Sequence, residues 1–125
     1  MFKFFNKNEN TSTPQDFQRE EYQYKIFDVD KKIDSAIENI ITLQFTAKVL
    51  RENSLAQRNV KAEILNQQMK LEAAAEERDK IIEELKNFIK ENKENLNSTK
   101  EWVIPCSAEQ YILTIMSRKA VKRGF

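Results

Sequence analysis

From Tyr22 onward the apolar positions recur alternately at four and three: Tyr22, Ile26, Val29, Ile33, Ala36, Ile40, Leu43, Ala47 and Leu50. A sustained heptad of this kind predicts an amphipathic helix. The segment Tyr22-Gln23-Tyr24-Lys25-Ile26 alternates as a strand would, but the heptad that starts at Tyr22 continues well past it, so it reads as helix. Carried forward, the same count reaches Ser54, Gln57, Lys61, Ile64, Gln68, Leu71, Ala75, Arg78, Ile82, Leu85 and Ile89. The register is kept to the end while its middle turns polar. Ser54, Gln57 and Lys61 are successive seam positions that gain little from burial.

Punctuation sets the ends of this stretch. Thr13-Pro14-Gln15-Asp16 is a helix start: Thr13 as N-cap, Pro14 where its missing N–H is harmless, Asp16 as a negative charge on the first turn. No Gly or Pro follows until after Asn97. Two architectures are open. One helix could run from Phe17 to Asn97, roughly 120 Å at 1.5 Å per residue. Alternatively, the chain could turn near Asn53 and pair two helices as an antiparallel hairpin. Ser54-Leu55-Ala56-Gln57 matches a capping box and supports the turn. The unbroken register and the absence of Gly or Pro from Arg51 to Val60 favour the continuous helix.

Four sections result. Residues 1–12 form a polar, flexible arm, 13–97 a long helical or coiled-coil region, 98–106 a linker with the apolar cluster Trp102-Val103-Ile104 before Pro105, and 107–125 a basic helix. Ser107 with Gln110 supplies a second cap. Ile112, Leu113, Ile115, Met116 and Ala120 give the last helix an apolar face. The expected fold class is therefore all-α: a long heptad-patterned coiled-coil helix, or an antiparallel helical hairpin, plus a short C-terminal amphipathic helix.

Composition narrows the chemistry. Among 125 residues there is one Gly, one Cys and no His. Glycine-rich phosphate loops, histidine general bases, His or Cys metal sites and internal disulfides are thereby excluded. Cys106 has no histidine to activate it. Adjacent acids such as Glu76-Glu77 and Glu83-Glu84 do not face each other on a helix and read as solvated surface. The sequence thus predicts a non-enzyme with no cofactor, no metal and no small-molecule substrate. Apolar runs reach only three or four residues, far short of a spanning helix, and the start lacks the apolar core of a secretory signal. With a lone thiol, this suggests an intracellular protein, soluble or peripheral to a large assembly.

The apolar seam carries the functional expectation. Tyr22, Ile26, Val29, Ile33, Ile40, Leu43, Leu50, Ile64, Leu71, Ile82, Leu85 and Ile89 form a stripe that must lie against other helices, its own or a partner's. Ile37, Ile41, Phe45, Val49, Val60, Ala74, Ile81 and Phe88 widen it toward more than one neighbour. Trp102, Val103, Ile104, Ile112, Ile115 and Met116 are a second docking segment. Lys61, Gln68 and Arg78 could specify register, but the charged stretch around Glu72–Lys80 favours a solvated middle. These features predict a structural or assembly subunit with helical protein partners. The alternative is a membrane-surface or nucleic-acid binder using Arg118, Lys119, Lys122 and Arg123 with the Phe2, Phe4 and Phe5 tip; four charges bind polyanions weakly.

Leu43-Gln44-Phe45-Thr46-Ala47-Lys48, with Lys61-Ala62-Glu63 downstream, resembles the first core helix of ESCRT-III-type membrane-remodelling subunits. The resemblance covers about 20 residues and would imply membrane remodelling. The chain departs from the family pattern in charge: residues 22–97 hold 13 Lys/Arg and 14 Asp/Glu where the family is strongly basic, and no acidic tail follows.

Overall fold

The computed structural model describes residues 14–93 and 104–122. Three helices lie among them: α1 (Pro14–Val49), α2 (Leu55–Glu91) and α3 (Ala108–Lys122). The arm 1–12, Thr13, Trp102, Val103 and Arg123 fall outside the described residues.

Of the two architectures the sequence leaves open, the hairpin is the one formed, and the continuous helix is not. The break sits at residues 50–54, and one side chain explains how it forms without glycine. Asn53 adopts φ 61°, the left-handed region that asparagine tolerates better than most residues. The Ser54 amide then closes the turn on the Arg51 carbonyl at 3.1 Å. Ser54 caps α2, its Oγ accepting from the Gln57 amide at 3.1 Å. Gln57 answers in both directions. Its Oε1 accepts from the Asn53 amide at 2.8 Å, and its Nε2 donates to the Ala47 carbonyl at 3.0 Å. That carbonyl, in the last turn of α1, has no helical partner left, so Gln57 satisfies an orphan of one helix from the first turn of the next. The polar stretch of the heptad is therefore the turn and its stitching.

α1 and α2 run antiparallel. Ala47 meets Gln57, Asn39 meets Gln67 at 3.2 Å, Lys32 meets Glu77 at 3.5 Å, and the Tyr22 and Phe88 rings lie 5.6 Å apart. The heptad resolves into a shared core at the end away from the turn. Ile26, Val29, Ile33 and Ile37 pack on Ala74, Ile81, Ile82 and Leu85, with Ile115 from α3 completing the cluster. Ile33 is fully buried. Burying such a side chain contributes about 1.5–3 kcal/mol, so this cluster dominates the stability.

α3 lies in the groove of the hairpin and runs in the same direction as α1. Ser107 caps it, with Oγ accepting from the Gln110 amide at 3.2 Å. Its first amide, Ala108 N–H, donates to the Asp79 carboxylate at 2.8 Å, a negative charge at the positive end of the helix. Near the other end, Lys119 donates to both Asp34 and Glu38 at 3.1 Å.

Candidate functional site

With no catalytic constellation expected, the functional question is which surface remains for partners. The molecule divides into a base and a tip. At the base, residues 14–41 and 71–93 enclose the apolar cluster and α3 covers one side of it. At the tip, residues 42–70, the buried positions are Ala47, Gln57 and Gln67, and every larger apolar side chain stays wholly or half in contact with solvent. Val49 is 82% exposed, Leu55 68%, Met69 67% and Leu65 63%. Leu43, Leu50, Val60 and Ile64 are half-buried. The tip is held by polar contacts instead. The Asn39 amide donates to Gln67, which in turn donates to Glu63 at 2.9 Å.

The predicted seam is thus unevenly used. Ile26, Val29, Ile33, Ile82 and Leu85 are buried; Tyr22, Ile40, Leu43, Leu50, Ile64, Leu71 and Ile89 are half-buried. Of the widening positions, Ile37, Ala74, Ile81 and Phe88 are buried, Ile41 and Val60 half-buried, and Phe45 and Val49 exposed. The C-terminal docking segment divides likewise. Ile115 enters the shared core and Ile112 packs against it, whereas Met116 and Ile104 remain largely on the surface. α3 is therefore a neighbour supplied by the chain itself.

Arg78 corrects the expectation of a solvated middle. Its side chain is 3% exposed. Nε donates to the Asp30 carboxylate, Nη1 donates to the Cys106 carbonyl at 2.6 Å, and the guanidinium lies 4.6 Å from the Tyr111 ring centre. One cation thus ties α1, α2, the segment leading into α3, and α3. The planar fork makes these contacts together, which an ammonium could not. Lys61 and Gln68, weighed beside it, are exposed, and the glutamine buried in that turn of α2 is Gln67. The signal for Arg78 was present: a cation on the seam between Ala75 and Ile82, apolar on either side. Pairing it required knowing that Asp30 lies opposite, which only the hairpin supplies.

Lys119 is similarly committed. Burial pushes its ammonium down, but the hydrogen bonds and charges of Glu38 and Asp34 outweigh that and raise it above 10.5. Of the four candidate polyanion contacts, Lys119 is taken up in this pairing, Arg118 and Lys122 are exposed, and Arg123 lies outside the described residues. Burial, then the charges of Asp30 and Asp34, raises the Tyr111 phenol above 10.0 despite Arg78 and Arg118 nearby.

On the face away from α3 a cleft of ≈ 530 Å³ is lined by small or amide side chains, among them Ser35, Ala36, Asn39 and Gln67, together with the charged Lys31, Lys32, Lys70 and Glu77. Among the described residues no three His, Cys, Asp or Glu are grouped to hold a metal ion, and no helix is long and apolar enough to cross a membrane. No family model matches the chain, and neither a curated protein nor a solved structure matches it. The ESCRT-III resemblance of 43–48 and 61–63 thus stays a likeness of short sequence, placed at the end of α1 and the start of α2.

Proposed function

We propose that this chain is a non-enzymatic assembly module whose hairpin tip docks onto helical protein partners, while α3 clamps and stiffens the base. The observation that carries this reading is the contrast between the two halves. The heptad seam that is largely buried at the base is only half-buried at the tip, at Leu43, Leu50 and Ile64, and beside it Val49, Leu55, Leu65 and Met69 lie uncovered. A hairpin that needed only its own stability would gain nothing from these side chains, and exposed apolar groups clustered on one part of a small protein mark interaction surfaces. Helix-on-helix packing is the recognition mode that such spacing serves. The polyanion reading has less support once Lys119 is paired.

The test is sedimentation of the tagged full chain in extracts of cells that express it naturally. The wild-type chain is expected in a particle larger than its own 14.8 kDa. The variant Val49→Ser/Leu65→Ser/Met69→Ser, equally helical by circular dichroism, is expected as free monomer. Equal sedimentation of the two would overturn the reading.

A further inference from the structure

The charges of the two halves are segregated. The tip, residues 42–70, holds five basic and two acidic side chains; the arms of the base, 14–41 and 71–93, hold nine basic and fourteen acidic. Lys48, Arg51, Arg58 and Lys61 are all exposed at the tip, and none is held in an ion pair among the described residues. In sequence they stand on both sides of the exposed Val49 and Leu55. At the base, the outer face of α1 carries a matching surface of opposite sign. Phe17, Tyr24 and Phe27, spaced by seven and three and so on one side of the helix, are 58%, 68% and 57% exposed. Glu20, Glu21 and Asp28 flank them, outside the ion pairs that tie the base together, and outnumber the two lysines there, Lys25 over Tyr22 at 5.4 Å and Lys31 over Phe27 at 4.5 Å.

We infer that copies of this chain associate head to tail, the basic apolar tip of one hairpin seating on the acidic aromatic stripe of α1 in the next. This deepens the reading of the tip as an association surface and rests on it. Within one molecule the two surfaces lie roughly 40 Å apart along α1, at 1.5 Å per residue, so they meet only between copies. A tip-to-tip or base-to-base dimer would set like charges together, which opposes those pairings. The tip-to-base contact joins two different patches, so a pair of copies still has one free patch of each kind, and association continues past the dimer into a ring where the rotation closes or an open chain where it does not.

Sedimentation velocity of the purified full chain tests this across concentration, at low and raised salt. The wild type is expected to grow past dimer at low salt and to shrink as salt screens the contact. Lys48→Glu/Arg58→Glu at the tip, and separately Glu20→Lys/Glu21→Lys at the base, are each expected to weaken association on the order of tenfold, with helicity unchanged. Mixing the two variants is expected to restore growth, because each reversed end then finds an end of opposite sign. The proposal falls if the wild type stays monomeric at low salt, or if reversing the base charges leaves growth unchanged. It also falls if the tip charges act only on vesicles of anionic phospholipid. A monomeric purified chain, together with an extract particle still lost on substituting Val49, Leu65 and Met69, would remove self-association and leave the tip as a surface for another protein.

Discussion

Arg78 is the residue on which the three-helix arrangement is most exposed to test. Replacing it with methionine keeps most of the methylene packing and removes the charge and its donors. Breaking a buried pair by removing one partner costs about 3–5 kcal/mol. Asp30 is 20% exposed, so water can take over part of its solvation and the lower end applies. The lost contact with Tyr111 and the orphaned Cys106 carbonyl add about 1 kcal/mol each, and the retained stem offsets part of that. Arg78→Met should therefore destabilise by about 3 kcal/mol, seen as an earlier urea midpoint at unchanged slope, and as a fall of about 12 °C in Tm. Because the cation anchors α3, hydrogen exchange should quicken more in 108–122 than in 26–41. Asp30→Asn should cost nearly as much, since it leaves a buried guanidinium uncompensated. Asp30→Leu with Arg78→Met should recover much of the loss. A cost for Arg78→Met within about 0.5 kcal/mol of zero, with α3 exchange unchanged, would refute the account. A large cost for Arg78→Met with none for Asp30→Asn would place the work in the contacts with Cys106 and Tyr111 and not in the pair with Asp30.

The turn and the titrating groups of α3 make two further expectations. Gln57→Ala removes two hydrogen bonds, one of them from the buried Ala47 carbonyl, and should lower stability by about 2 kcal/mol in urea denaturation. Asn53→Gly should be near neutral, while Asn53→Val, which must hold φ 61° against a branched side chain, should cost at least about 1 kcal/mol. An equal effect of glycine and valine would mean that the turn does not depend on that backbone conformation. Tyr111 and Lys119 both hold their protons more tightly folded than unfolded, so the native state is the more protonated one. Their contribution is complete below their ordinary values of 10.0 and 10.5 and is lost as pH rises through the raised ones. Absorbance titration of wild type minus Tyr111→Phe should place that phenol above 10.0, and a difference midpoint at or below 10.0 would contradict the packing described for Tyr111.

Much of the fold could be read from local chemistry. The helix starting at Pro14, the cap at Ser54 and the cap at Ser107 each stand where hydroxyl, proline and spacing place them. The choice between rod and hairpin could not be made from heptad phase. That phase describes which side of each helix is apolar and is silent about whether the backbone between them turns. The absence of glycine misled for the same reason, since a single asparagine can occupy the left-handed region. Four residues of capping box carried more weight than thirty of register, because a cap states where a backbone ends, whereas a stripe continues through a turn whenever the loop length preserves its phase. Arg78 was hidden by its type: taken alone, a charged side chain in a charged stretch reads as solvated, and Asp30 stands 48 positions away.

The contrast between base and tip follows from the same chemistry. At the base, isoleucine and leucine on both arms fill one another's space and leave a groove wide enough for Ile115. At the tip the inward positions fall to Ala47, Gln57 and Gln67, which are satisfied by hydrogen bonds and bring the helices together without displacing much water from apolar surface. Hydrogen bonds of this kind contribute about 1 kcal/mol each, less than a buried isoleucine, so the tip is registered accurately yet held weakly. Leu43, Leu50, Val60 and Ile64 are left half-buried and Val49, Leu55, Leu65 and Met69 exposed, so the gain from burying them is still available to whatever covers them. A weakly held half with unspent hydrophobic surface is the part of such a hairpin expected to open first and to be stabilised most by a partner. The base, closed by Arg78 and Lys119, remains a fixed frame on which that half is presented.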